Sequence, residues 1–70
     1  MNNYIFVLDE NQIKKFETWK DDQMKIDSFM PLAGERFSLK FTTTGLGVII
    51  IGIDEHLNEE IDLTDYESFS

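Results

Sequence analysis

Seventy residues without a cysteine make one small domain, 1–70, that no disulfide or thiolate metal site can staple. Fourteen acidic against six basic groups give a net charge of −8, which disfavours direct binding of duplex nucleic acid, since that needs clustered positive charge to release counterions. Residues 1–53 carry seven acidic and six basic groups (−1), whereas residues 54–70 carry seven acidic groups and no basic one (−7), so the acidity belongs to the tail.

The opening MNNYIFVLDE lacks the basic segment and long apolar run of a secretory signal, and no stretch reaches the length of a membrane span, so a cytosolic protein is expected. Tyr4 to Leu8 is an aromatic and β-branched run that predicts a strand. Asp9 and Gln12 have the spacing of a capping box, which starts a helix over about 10–26. Ile13, Phe16, Trp19, Met24 and Ile26 project onto one apolar arc of that helix, with Lys20 and Gln23 intruding. Residues 27–35 read as a loop broken by Pro31 and Gly34. Its Phe29, Met30 and Leu32 either cap a core edge or form an adaptable contact surface.

Arg36 to Asp54 is the centre of the fold. Phe37, Leu39 and Phe41 alternate with Arg36, Ser38, Lys40 and Thr42 as in a strand with one buried face, and Val48 to Ile51 form an unbroken apolar run. Thr44-Gly45-Leu46-Gly47 joins the two as a hairpin, with glycine expected to supply a positive φ. The Ile run is either covered on both faces within the chain or left on one face for a partner, so a homo-oligomer is open. Asp54 to Asn58 reads as a turn with Asn58 left-handed. Glu59 to Leu63 reads as a third hairpin strand with Ile61 and Leu63 inward, and Thr64-Asp65-Tyr66-Glu67 as a closing helical turn. The expected architecture is α+β: a small antiparallel sheet in the order β-α-β-β-β with one helix packed on one face.

Thr44-Gly45-Leu46-Gly47-Val48, followed by Glu59-Glu60-Ile61-Asp62-Leu63-Thr64-Asp65-Tyr66, resembles the ending of a group of very short, mostly uncharacterised phage and prophage proteins. Those proteins share a TGLG hairpin and an EEIDLTDY-plus-aromatic ending, and the resemblance covers roughly the second half of the chain. Many place a Cys pair just before the Glu-Glu. Here Asp54-Glu55-His56-Leu57-Asn58 stands in its place, which removes any thiolate zinc site. The resemblance implies a phage context and says little about activity; together with the cytosolic reading above, the host cytoplasm is the expected setting.

No nucleophile, base and oxyanion set converges in the sequence, so an enzyme is not expected, nor a cofactor. Glu60 and Asp62 share a strand face and could bridge a hard cation, but the spacing matches no EF-hand, and a solvated edge is the simpler reading. His56 and the Gly45-Leu46-Gly47 turn likewise read as structural. Two binding functions remain. In the first, Glu59, Glu60, Asp62, Asp65 and Tyr66 form an acidic surface that inhibits a host defence protein by covering its basic face. In the second, a homo-oligomeric sponge sequesters a nucleotide-like immune signal through Lys14, Arg36 and Lys40 with an aromatic such as Trp19 or Tyr4. A phage accessory protein without a defence role is the remaining alternative.

Overall fold

The computed structural model describes residues 7–32 and 34–68. Over these residues the order is α1 (Glu10–Ile26), β1 (Phe37–Thr43), β2 (Val48–Asp54), β3 (Glu59–Asp62) and a 3-10 turn at Tyr66–Ser68. The strands form one antiparallel sheet in the order β1-β2-β3 with α1 on one face, a small α+β fold. Of the expected opening strand, Tyr4 to Phe6 lie outside the described residues, and Val7 and Leu8 carry no strand.

Helix α1 starts where the capping box places it. The Gln12 N–H donates to Asp9 Oδ1 at 2.8 Å, and the Asp9 N–H donates to Gln12 Oε1 at 2.9 Å, satisfying two amides that have no partner inside the helix. Gln12 also donates from Nε2 to the Leu63 carbonyl (2.8 Å), and Lys15 Nζ donates to the Asp62 carbonyl (2.9 Å), so the same turn is pinned to the end of β3. An Asp9→Ala variant is expected to lose about 1 kcal/mol, a drop of about 4–8 °C in melting temperature for a domain of this size. Thermal unfolding followed by circular dichroism checks this, and Asp9→Asn should recover most of the loss.

Register divides the sheet into two faces. Phe37 lies opposite Asp54, Leu39 opposite Gly52, Phe41 opposite Ile50, and Gly52 opposite Ile61. This set faces the helix, whose Phe16 ring closes over Gly52. The buried apolar centre is Phe16, Ile50 and Leu63, with Leu8, Trp19, Val48 and the strand aromatics packed around it. Phe16 and Trp19 stack at 6.1 Å between ring centroids, and Trp19 meets Phe37 edge-on at 5.9 Å.

The predicted apolar arc of α1 needs correction. Ile13 and Ile26 remain exposed, while Gln23 is buried. The two residues that interrupted the arc are both used: Lys20 lies over the Phe16 ring at 4.8 Å and pairs with Glu17 at 2.9 Å, and Gln23 enters a polar cluster. The hairpin turn also differs from expectation. Among the described residues the left-handed region is taken by Gly34 and Asn58, not by Gly45 or Gly47. Thr44 builds the turn instead: its hydroxyl donates to the Gly47 carbonyl (2.7 Å) and accepts from the Leu46 and Gly47 amides (3.2 and 3.0 Å).

Candidate binding surface

Two groups of polar residues compete for the role of a site, and burial separates them. The first surrounds Arg36, which comes just before β1 and sits 2 % exposed, and Asp54, which ends β2 and is fully buried. Arg36 donates from Nε to Asp54 Oδ1 at 3.0 Å and from Nη2 to Asp54 Oδ2 at 2.9 Å, the two-pronged geometry that fits guanidinium to carboxylate. Its remaining donor capacity reaches the Gln23, Asp27 and Phe29 carbonyls, at the end of α1 and just beyond it. A cation there also answers the negative end of the helix dipole.

Asp54 is as fully engaged as its partner. Besides Arg36, it accepts from Gln23 Nε2 at 3.0 Å and from the His56 and Leu57 amides at 3.0 and 3.2 Å. The Arg36 guanidinium, helped by Gln23 and these two amides, holds the Asp54 carboxyl well below the usual carboxylate range, against the opposing effect of burial. The same contact raises Arg36 above its ordinary value. This clasp joins α1, the following loop, both long strands and the β2–β3 turn, and it is architectural. Arg36 therefore does not belong to an anion-holding surface: its guanidinium is already spent on Asp54 and on carbonyl oxygens. Asp54 likewise leaves the acidic tail, of which six carboxylates remain outside (seven less one).

Around the clasp, the loop folds onto the turn. His56 Nε2 lies 2.9 Å from Asp27 Oδ2, and the Phe29 ring stacks on the imidazole at 4.5 Å. Hydrogen bonding from His56, then from the Phe29 amide, lowers Asp27 below its ordinary value. Phe29, Met30 and Leu32 are 49, 57 and 108 % exposed, so of the two readings of this loop the structure favours a contact surface over a core cap.

The second group is the acidic border of β3 and the turn beyond it. Glu59, Glu60, Asp62, Asp65 and Tyr66 are all exposed. They do not share one face. Glu59 lies on the helix side, where Oε1 accepts from Gln23 Nε2 at 2.7 Å, while Glu60 and Asp62 alternate onto the opposite face. Asp62 accepts from the Tyr66 hydroxyl and, at 2.9 Å, from the Thr64 amide. These bonds, the Tyr66 hydroxyl foremost, lower its pKa, and Tyr66 is raised in turn. Asp65 Oδ1 accepts from the Glu67 amide at 3.1 Å and starts the 3-10 turn. Tyr66 is thus tethered to the strand rather than packed inward.

The four residues assigned to nucleotide capture are only partly brought together. Lys14 and Trp19 line one shallow depression of about 420 Å³ with Lys15, Thr18 and Ile61. Lys40 lies on the opposite face of the sheet, and Arg36 is buried. Tyr4, the alternative aromatic, lies outside the described residues. Among the described residues no cluster of three His, Cys, Asp or Glu side chains can hold a metal ion, and no helix is long and apolar enough to cross a membrane.

Sequence reasoning missed Gln23 and Asp54 as partners. The signal available was the polar Gln23 on an otherwise apolar arc, together with opposite charges at the two open ends of the hairpin. Compared with protein-family models, characterised proteins and solved structures, the chain matches none.

Proposed function

We infer that the chain is a small non-enzymatic binding protein of phage origin that inhibits a host defence protein by laying its acidic C-terminal border against a basic surface. The observation that carries this reading is the exposure of Glu59, Glu60, Asp62, Asp65 and Tyr66 along one strand and its turn, while the strongest cation of the fold is turned inward. Exposed carboxylates at that density attract a basic partner over about a Debye length and orient it before contact. The phage setting rests on the TGLG and EEIDLTDY resemblance alone, and the host cytoplasm on that resemblance together with the cytosolic reading.

The test uses a variant carrying Glu59→Gln, Glu60→Gln, Asp62→Asn and Asp65→Asn, compared with the unaltered chain in phage-infected bacteria that carry a defence system. Loss of phage rescue in the variant, with a protein partner bound to the unaltered chain at low salt and released at high salt, is the expected result. Rescue that persists in the variant overturns it.

The depression holding Lys14 and Trp19 supports the second reading, capture of a nucleotide-like signal. That reading predicts a multimer carrying a few hundred daltons of extra mass in native mass spectra, lost on Trp19→Ala and unaffected by the four tail substitutions.

A further inference from the structure

The helix covers one face of the sheet, and the register assigns the other face its own composition. Ile49, Ile51 and Ile53 run down the middle of that face on β2, each half-buried, and none belongs to the cluster around Phe16. Lys40 lies beside Ile51 on the β1 side and Asp62 on the β3 side, while Ser38 and Glu60 flank Ile53 in the same way. The face is therefore an apolar stripe with one cation, Lys40, between Ser38 and Thr42 on one long edge and two acids, Glu60 and Asp62, on the other.

We propose that this face is the interface of a homodimer, in which the isoleucine stripes of two copies stack and Lys40 of each copy meets the Asp62 border of the other. The charge pattern selects the symmetry. A two-fold axis along β2, lying between the sheets, carries β1 of one copy over β3 of the next, so Lys40 falls on Asp62 on both sides. A two-fold across the strands instead lays β1 on β1 and β3 on β3, opposing like charges. Sheets packed in this way sit about 10 Å apart with strands about 30° from parallel, a separation that a lysine side chain spans. Among the described residues three apolar side chains are buried, and the stripe would add further apolar burial to them.

Glu59, on the helix side, and Asp65, beside Asp9 and Gln12, stay outside this interface. Glu60 and Asp62 are taken up by the dimer, which leaves Glu59 and Asp65 for a further partner; Glu59→Gln with Asp65→Asn therefore tests partner binding without touching the dimer, and Lys40→Glu tests the dimer without touching those two acids.

Sedimentation equilibrium of the purified full chain, read across concentration, is the deciding experiment. Three strands at their usual spacing and rise make a face about 14 by 20 Å, roughly 280 Å² per copy and below the roughly 800 Å² that each partner of a standard interface buries, so the dimer is a weak one. A reversible monomer–dimer equilibrium in the micromolar range that stops at two copies is the expected result. Ile51→Lys should be monomeric, and Lys40→Glu, at an exposed position that leaves the monomer intact by circular dichroism, should weaken the dimer at least about tenfold. A chain that is monomeric at about 1 mM, an assembly that grows beyond two, or a dimer that tolerates Lys40→Glu unchanged overturns the proposal.

Discussion

Asp54→Ala is expected to remove a third or more of the stability of the fold, read as a large drop in the urea midpoint at room temperature. Removing this carboxylate leaves the Arg36 guanidinium buried with no countercharge, and it also deprives the His56 and Leu57 amides of this acceptor and Gln23 of one of its two. Breaking a buried pair in this way costs about 3–5 kcal/mol. A domain of this length has a total of roughly 4–10 kcal/mol to lose. Replacing both partners, as Arg36→Met with Asp54→Leu, should be less damaging than either single change, because no unpaired charge then stays behind. The pH dependence follows from the same contact. Because the folded carboxyl titrates well below the ordinary value of about 3.9, its contribution is full at neutral pH. It declines as pH falls through and below that ordinary value, where an unfolded chain takes up the proton first. Urea unfolding at pH 7 and near pH 3 should therefore show the gap between the unaltered chain and Asp54→Asn narrowing on the acid side. A gap that stays constant would show that the pair contributes nothing through its charge.

Gly52→Ala is the second large effect, and here two opposite tendencies meet. Alanine normally stabilises a strand relative to glycine by roughly 0.5–1 kcal/mol, since the unfolded chain has less freedom to lose. At Gly52, however, a Cβ would stand 2.8 Å from Phe16 Cε1, 2.9 Å from Phe16 Cδ1 and 2.9 Å from Ile61 Cγ2. Phe16 is 8 % exposed and stacked against Trp19, so the ring has little room to retreat without lifting the helix. Overpacking of this kind costs about 1–3 kcal/mol and decides the sign. Denaturant unfolding should show destabilisation by Gly52→Ala and partial recovery when Phe16→Leu is added. Recovery in the double variant identifies the ring as the cause.

The elements were legible because each is written in local pattern. Asp9 and Gln12 fix the start of α1 by chemistry confined to one turn, the alternation from Phe37 to Phe41 fixes β1, and Asn58 takes the left-handed position at φ 56°. Glu60 and Asp62 share a strand face for the same reason. What stayed hidden depends on pairs distant in the chain. Arg36 continues the polar phase of β1, and Asp54 opens an acidic run, so each reads as surface until the hairpin register sets Phe37 opposite Asp54. Gln23 reads as a blemish on an apolar arc until those two charges are in place beneath it. The hairpin turn lies at Thr44 to Gly47 as its sequence indicates, and only its means differs: glycine is compatible with many conformations, and the Thr44 hydroxyl, not glycine φ, holds the connection.

The clasp at the open end of the hairpin adds to the fold a second kind of cohesion that answers to different surroundings. Near Phe16, Ile50 and Leu63 cohesion is apolar, and that kind weakens on cooling and in urea. At Arg36 and Asp54 it is ionic and directional, indifferent to modest cooling but vulnerable to acid. Cold and acid should therefore weaken different contacts of the same small fold.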